Sequence, residues 1–261
     1  MTITNNLNFD LLKKSFLANE ALLIDFDNTI VDYNKNEQQA LENLLDSFDV
    51  SQNKYSEIIA YYKEINNYYW SEFEQKTFSI SEVQRKRFED LQVKYPELNE
   101  SADQLNKKYL DFFISSTKVD ETTIEMLKFL KDKMGIILVL ITNGIHWVQT
   151  ERLQNCGLID IFHTYFTSES VGFAKPHPKM FEESITFINN FNGGRINPDD
   201  IWVIGDNLNA DIVGAKKMNL KACWITSKEK KIDLDKEFQP DIIANSFLEF
   251  IDYYLEIKDK T

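Results

Sequence analysis

The chain has 261 residues, 43% of them hydrophobic and 27% charged, and a formal net charge of −13. This length and composition predict a folded globular protein with a substantial apolar core and argue against a disordered or fibrous chain. Because nucleic-acid backbones and anionic lipids require clustered Lys and Arg, we expect no nucleic-acid polymer and no membrane as a partner. The acidity does not exclude a small anionic ligand, since a metal ion and a few donors can reverse the potential inside one pocket.

Cysteine usage indicates a reducing compartment. The two cysteines, Cys156 and Cys223, show no C-x-x-C spacing, so the sequence predicts neither a disulfide framework nor a zinc cluster. Residues 1–20 contain no apolar export signal, and no segment approaches the roughly eighteen apolar residues of a membrane span. We therefore expect a cytoplasmic protein.

The predicted elements begin with a short apolar run that ends at an acid, 21–26 (ALLIDF). Such a run is typical of a strand buried on both faces of a parallel sheet. Similar runs recur downstream and end where polar residues or glycine begin: 136–141 (IILVLI), 201–204 (IWVI) and 222–225 (ACWI), with a last short strand near Ile242. Helical patterns separate them, which predicts a doubly wound α/β fold with a parallel sheet and helices on both faces.

One interval, 33–117, breaks this alternation. It shows no convincing strand, only long stretches with apolar residues at helical spacing, such as QQALENLLDSF and SEVQRKRFEDL. We interpret 33–117 as an inserted all-helical cap domain, called the cap below, and residues 1–32 with 118–261 as the core domain. Because the cap leaves after the first strand and returns before the second, we expect it over the carboxyl ends of the sheet, where open α/β sheets bind ligands.

Two acids at the end of the first strand are the first candidates for chemistry. Asp25 and Asp27 belong to the segment DFDNT, and crowding two acids costs Coulomb repulsion unless a cation is present. A hard divalent ion such as Mg²⁺ would supply that cation and bind through oxygen ligands. The alternative is structural: Asp27 or Asn28 caps a turn, and Asp25 only ends the strand.

A hydroxyl residue follows the second strand, in the segment Thr142-Asn143-Gly144. A hydroxyl with adjacent backbone N–H groups at a strand-to-helix junction can form a phosphate cradle. The same three residues are also ordinary turn chemistry, so this segment alone leaves both interpretations open.

A lysine, Lys175, lies in the segment VGFAKPHPKMF, which Pro176 and Pro178 stiffen. A fixed ammonium at this position could neutralise both a carboxylate and a phosphoryl group. Taken alone, Lys175 would be an ordinary surface charge. The neighbouring His177 is interpreted as a loop residue, since it has no spaced partner that would indicate a metal site.

The fourth segment, GDNLNAD, runs from Gly205 to Asp211 directly after the strand IWVI. Gly205 lets the backbone approach an ion closely, and Asp206 and Asp211 offer carboxylates. The alternative is an Asp-Asn turn with Asp211 near a helix N-terminus. All four segments are expected at one edge of one sheet, and this joint occurrence favours the functional interpretation of each.

Taken in order, the four segments resemble the motifs of the haloacid dehalogenase-like superfamily of phosphotransferases, over about residues 22–222. The family's D-x-D-x-T motif, second-motif threonine, lysine and G-D-x-x-x-x-D motif appear in turn as Asp25, Asp27 and Thr29; Thr142; Lys175; and Gly205, Asp206 and Asp211. The resemblance implies a Rossmann-like core, an inserted helical cap and a phosphatase that uses Mg²⁺.

The resemblance also implies a role for each motif residue. Asp25 would form an aspartyl phosphate, while Asp27 would protonate the leaving oxygen and then activate water. The phosphoryl group would be bound by Thr142, Asn143, Gly144 and Lys175. The ligands of Mg²⁺ would be Asp25, Asp206 and the backbone carbonyl of Asp27. Asp211 and Thr29 would not bind the ion and would hold its ligands in place.

Several alternatives remain open within and beyond this family. Its dehalogenases and phosphonatases typically lack the second acid of the first motif, and the presence of Asp27 therefore favours a phosphatase. A 2-haloacid dehalogenase, a mutase and a non-catalytic binding protein on the same fold are the other interpretations.

Within the superfamily, DFDNTIVDY, ITNG followed by Gln149 and Arg152, and SESVGFAKPHPKMFEESI look most like the pyrimidine 5′-nucleotidase branch. The N-acylneuraminate-9-phosphatase branch is next. We expect a small phosphate ester as the substrate, first a nucleoside 5′-monophosphate, and a monomer or homodimer. The cap would select the substrate through stacking and polar side chains: Tyr69, Trp70, Phe73 and either Arg85 or Arg87. The aromatic residues are equally compatible with helix packing.

Overall fold

A computed structural model of the protein describes residues 20–74, 77–226 and 235–258. Residues 1–19, in which the sequence shows no export signal, lie outside the described part. Within it the main elements are, in chain order, β1 (Ala21–Ile24), α1 (Tyr33–Asp46), α2 (Tyr55–Glu74), α3 (Ile80–Lys94), α4 (Ala102–Ser116), α5 (Glu121–Asp132), β2 (Ile137–Thr142), α6 (His146–Asn155), β3 (Thr164–Thr167), α7 (Ser168–Val171), α8 (Pro178–Asn192), β4 (Ile201–Gly205), α9 (Gly214–Lys217), β5 (Lys221–Ile225), β6 (Ile242–Ala244) and α10 (Phe247–Lys258). A π-helical turn, Leu208–Val213, precedes α9.

The six strands form one parallel sheet in the order β3-β2-β1-β4-β5-β6. Strand β1 lies at its centre, where Ala21 pairs with Ile137 of β2 on one side and with Ile201 of β4 on the other. The chain builds outward from β1 in one direction and then in the other, which opens a crevice at the carboxyl ends of the central strands. The predicted doubly wound α/β fold is confirmed.

Both faces of the sheet are covered by helices, as the continuous apolar runs predict. Leu22 and Ile24 point to a core that includes residues of α5, α6 and α10, whereas Leu23 points to a second core with residues of α8. All four residues of β1 are fully buried. The central strands therefore form a rigid base for the side chains that follow them.

Strand β3 was not predicted. Its sequence TYFT contains two threonines, and three of its four residues are only partly buried, because it lies at the edge of the sheet. Strand β1 also ends at Ile24, two residues earlier than the predicted run. Asp25 is therefore the first residue beyond the strand, at the point where the chain turns into the crevice.

The cap interval contains α1 to α4 and no strand among its described residues, 33–74 and 77–117. These helices share their own hydrophobic core, which includes Leu44, Tyr62 and Phe88 and extends to Ile145 and Val148 of the predicted core domain. The exact domain boundaries at 32/33 and 117/118 stay predictions. Across the described ranges, no helix combines the length and the apolar character needed to cross a membrane.

Candidate active site

Asp25 is held by two donors at the centre of the crevice. Its carboxylate is almost completely buried, with Oδ1 accepting from Lys175 Nζ at 2.7 Å and Oδ2 from Thr29 Oγ1 at 3.0 Å. Lys175 Nζ also donates to Asp211 Oδ1 at 2.7 Å and to the carbonyl of Ile141 at 2.9 Å. Because all three ammonium protons are used, the position of Lys175 is fixed.

Three carboxylates converge at this point. Oxygen atoms of Asp25, Asp206 and Asp211 lie within 4.8 Å of one another. Asp211 Oδ2 accepts from the backbone N–H of Asn207 at 3.0 Å, which fixes its second oxygen. Gly205 makes the approach possible, since a Cβ on it would lie 2.2 Å from the Asp211 carboxylate. Larger residues at position 205 would displace Asp211.

The charges of this group are unbalanced. Burial raises the pKa of Asp25 to about 8; Lys175 opposes this shift, and Asp211 and Asp206 add to it. Burial and the charge of Asp211 raise the pKa of Asp206 to about 6. Burial disfavours the charge of Lys175, but Asp211 and Asp25 attract it and raise its pKa above the usual value. One ammonium among three carboxylates leaves an excess of negative charge that a hard divalent cation with oxygen ligands fits.

Thr142, the last residue of β2, lies beside these acids with its hydroxyl oriented by two donors. Its Oγ1 accepts from the backbone N–H of Gly144 at 3.1 Å and from Gln149 Nε2 at 2.9 Å. Because both bonds go to the oxygen, the hydroxyl proton can be donated to a ligand. The side chain of Asn143 instead exchanges two hydrogen bonds with the backbone of Lys175, and so fixes the lysine segment against β2.

The Asp27 carboxylate accepts three hydrogen bonds from side chains of helix α6. Arg152 donates from Nη2 to Asp27 Oδ1 at 2.7 Å and from Nη1 to Oδ2 at 3.0 Å. Gln149 Nε2 donates to the same Oδ2 at 3.1 Å. From sequence, Gln149 and Arg152 belong only to the family resemblance and carry no assigned role. Their spacing of three residues on a helix that starts just after Thr142 is a signal that could have identified them.

A cavity of about 330 Å³ lies between this edge of the sheet and the cap. Its core wall contains the residues predicted from the four motifs: Asp25, Asp27, Thr142, Asn143, Gly144, Lys175, Asp206 and Asp211. Its cap wall contains Tyr33, Asn66, Asn67, Trp70, Arg87 and Tyr109, among others. The structure therefore brings the motif residues together at one cavity, while their individual roles stay predictions.

Three of the predicted cap residues, Tyr69, Phe73 and Arg85, do not line this cavity. Tyr69 is buried and donates from its hydroxyl to Asp90 Oδ2 at 2.7 Å. Phe73 packs edge-on against Trp70, with 5.5 Å between ring centroids. Arg85 is half-exposed on the surface and pairs with Glu89. Helix packing and solvation, rather than substrate contact, account for these positions.

Trp70 and Arg87 do line the cavity. Arg87 is 3% exposed, and it donates to Asn66 Oδ1 at 2.8 Å and to Asn106 Oδ1 at 2.7 Å. Its guanidinium also lies 5.0 Å from the ring centre of Tyr109. Within the described residues, no carboxylate comes close enough to pair with it. The cap therefore presents to the cavity a buried cation that reaches the nearest acid, Glu37, only through Asn66.

The structure thus combines a parallel α/β sheet, a cluster of buried acids at its edge and a helical cap across the cavity. The model of the haloacid dehalogenase-like hydrolase family matches residues 20–219, and the chain belongs to that family. The resemblance found in the sequence is confirmed, as is the prediction of an enzyme of the phosphatase-like hydrolase class.

The curated relatives include hydrolases and nucleotidases of bacteria. The HAD-hydrolase YfnB of Bacillus subtilis is 30% identical over 209 residues, which cover 80% of this chain and 85% of YfnB. The pyrimidine 5′-nucleotidase PynA of Streptococcus pneumoniae is 26% identical over 232 residues, which cover 88% of this chain and 93% of PynA. The pyrimidine 5′-nucleotidase YjjG of Escherichia coli is 26% identical over 185 residues, which cover 70% of this chain and 74% of YjjG.

The crystal structure of YfnB from Bacillus subtilis has a TM-score of 0.73 and 26% identity to this chain. The match covers 92% of this chain and all of YfnB, which is bound to magnesium in that structure and shows interdomain movement. A 2-haloacid dehalogenase from Pseudomonas syringae, at 20% identity and a TM-score of 0.62, shows the shared fold alone.

Proposed function

We propose that this hydrolase is a magnesium-dependent phosphomonoesterase that acts on a small phosphorylated metabolite through an aspartyl phosphate on Asp25. The observation that carries the proposal is that a second acid, Asp27, lines the same cavity as Asp25. Transfer of a phosphoryl group to a carboxylate leaves an alkoxide that needs a proton, and Asp27 would supply it. The phosphatases among the relatives support the same class of reaction.

The proposed reaction has two halves. An Asp25 oxygen attacks phosphorus, the bond from phosphorus to the leaving oxygen breaks, and Asp27 gives that oxygen a proton. Water then attacks phosphorus and gives a proton to Asp27, while the bond from phosphorus to Asp25 breaks and phosphate is released. The Thr142 hydroxyl and the backbone N–H of Asn143 donate to the phosphoryl oxygens, and Lys175 balances charge on Asp25 and on the phosphoryl group.

The acids at the cavity fit a bound Mg²⁺. Asp25, Asp206 and the backbone carbonyl of Asp27 would hold the ion, with Asp211 supporting the group through Lys175. When bound, Mg²⁺ supplies positive charge against the phosphoryl oxygens. The magnesium in the YfnB crystal structure supports this assignment.

Compartment and substrate complete the proposal. Neither cysteine forms a disulfide, in keeping with a reducing cytoplasm, where we place the enzyme as a monomer or homodimer. A nucleoside 5′-monophosphate is the first candidate substrate. The pyrimidine 5′-nucleotidases among the relatives support it, and Trp70 on the cavity wall offers a face for stacking a base.

Phosphate release tests this function. The purified protein is expected to release phosphate from at least one member of a panel of nucleoside monophosphates, sugar phosphates and N-acylneuraminate 9-phosphate. The release requires Mg²⁺ and stops in EDTA, because the excess negative charge at Asp25 and Asp206 is then uncompensated. Turnover that persists in EDTA, or no turnover over the whole panel with Mg²⁺, would contradict the proposal. Halide release from 2-haloacids would favour the dehalogenase alternative.

Arg87 is expected to contribute to the choice of substrate. Arg87→Met would remove a charged hydrogen bond to the substrate, worth about 1.5–3 kcal/mol. We expect it to lower kcat/KM for the preferred substrate about 10- to 100-fold. Hydrolysis of p-nitrophenyl phosphate, which lacks the natural leaving group, should fall much less. Arg85→Met is the matched control, since it removes the same charge from the exposed face of α3. Equal losses on both substrates would assign Arg87 to helix packing alone.

A further inference from the structure

The Asp27 carboxylate receives three hydrogen bonds from α6, two from Arg152 and one from Gln149. The bidentate contact with Arg152 is charge-assisted and fixes the plane of the carboxylate as well as its position. An ionised carboxylate offers about four acceptor sites, and α6 fills three of them. The remaining site lies on Oδ1, which accepts only from Arg152 Nη2 among the described residues.

The guanidinium of Arg152 is itself immobilised. Its side chain is 1% exposed, and it lies between two rings, 4.6 Å from the centre of Phe26 and 4.4 Å from that of Phe113. Its Nε donates to Thr117 Oγ1 at 3.0 Å, and the same oxygen accepts from Asn36 Nδ2 at 3.0 Å. Thr117 follows α4, where the chain returns from the cap, and Asn36 lies in α1, where the chain enters it. Arg152 therefore links Asp27 directly to the returning segment and, through Thr117, to the entering one.

We propose that Arg152 is a positioning residue for the second half of the reaction, in which Asp27 takes the proton of the attacking water. This inference rests on the proposed phosphatase function. The two hydrogen bonds from Arg152 fix the plane of the Asp27 carboxyl group and leave one acceptor site on Oδ1, where a water proton can be taken up. In that step the water oxygen bonds to phosphorus, one water proton goes to Asp27, and the bond from phosphorus to Asp25 breaks to release phosphate.

The test uses p-nitrophenyl phosphate with Mg²⁺, because its leaving group needs little protonation and the first half-reaction then depends little on Asp27. Arg152→Met is expected to lower kcat about 10- to 100-fold and to leave kcat/KM within about threefold of wild type. The KM value should fall with kcat, and rapid mixing should show a burst of nitrophenolate close to one per enzyme. This pattern means that the aspartyl phosphate accumulates.

A merely structural role predicts a different outcome. If kcat and kcat/KM fall together without a burst, or if neither changes, the inference is overturned. In an Asp27→Asn background, Arg152→Met should add less than about a twofold loss of kcat, because the group that it positions is already changed. A fully additive loss would also overturn the inference. Wild-type protein without Mg²⁺-dependent phosphate release would contradict the proposed function instead, so the two failures are distinguishable.

A second variant keeps the test valid if Arg152→Met does not fold, which circular dichroism and thermal melting would reveal. Arg152→Lys retains the charge and most of the aliphatic part of the side chain but cannot make the bidentate contact with Asp27. It is expected to lower kcat at least threefold, again with kcat/KM preserved and with a nitrophenolate burst. A wild-type kcat in this variant would contradict the proposal that water activation by Asp27 needs the bidentate contact with Arg152.

Discussion

Replacing Asp25 with Asn is expected to abolish phosphate release, with a loss of kcat of about 10⁴-fold or more. The amide is a poor nucleophile, and the substitution also removes one oxygen ligand from the cluster with Asp206 and Asp211. Asn has nearly the same shape as Asp and can still accept a hydrogen bond from Thr29 or Lys175. The measurement is phosphate release from the best substrate of the panel with Mg²⁺.

Thermal melting and circular dichroism of Asp25→Asn serve as the control for folding. A folded variant that retains more than about one hundredth of wild-type activity would contradict the role of Asp25 as the nucleophile. Since the substitution is nearly isosteric, an unfolded variant is not expected.

The second large effect is expected from Lys175→Met. This change removes the ammonium that contacts Asp25 and Asp211 and leaves both acids buried without an ionic partner. Breaking a buried ion pair from one side costs about 3–5 kcal/mol of unfolding free energy. Activity should fall about 10³-fold or more, because the phosphoryl group also loses its fixed cation. Urea unfolding in EDTA and phosphate release with Mg²⁺ are the two measurements.

Lys179→Met is the matched control for Lys175→Met. Lys179 carries the same charge, lies four residues away and pairs with Glu183 on the exposed side of α8. Such surface pairs contribute about 0–1 kcal/mol, so unfolding free energy and activity should both stay near wild type. If the two lysine variants lose equal stability, the buried ion pairs do not contribute as the geometry requires.

The core and the position of the site could be predicted from sequence because parallel strands have a simple signature. Strands such as β2 and β4 are buried on both faces, so they appear as continuous apolar runs with polar residues at their ends. The carboxyl ends of adjacent parallel strands meet at one edge of the sheet. Asp25 and Asp206 follow two such strands and Thr142 ends a third, so their convergence follows from topology.

The cap residues that line the cavity could not be predicted in the same way, because the packing partners of a helix determine which of its sides faces the cavity. Arg85 and Arg87 are two residues apart on α3 and therefore lie on different faces. The buried face of α3 includes Val83, Arg87 and Leu91, which are spaced by four residues. Helical periodicity therefore indicates Arg87 rather than Arg85. The contacts of Arg87 with Asn66 and Asn106 and those of Arg152 with Asp27 join segments far apart in sequence, so only the folded structure shows them.

Transfer of a phosphoryl group to Asp25 is the step on which the proposed mechanism depends, and it can be observed by trapping that group on the protein. Protein incubated with substrate and Mg²⁺ is quenched in acid, digested and analysed by mass spectrometry, with Asp27→Asn included to slow loss of the group. We expect one phosphoryl group on Asp25 in wild type and in Asp27→Asn, and none in Asp25→Asn or in EDTA. Phosphate release with an unmodified Asp25, or with the group on another residue, would contradict the mechanism.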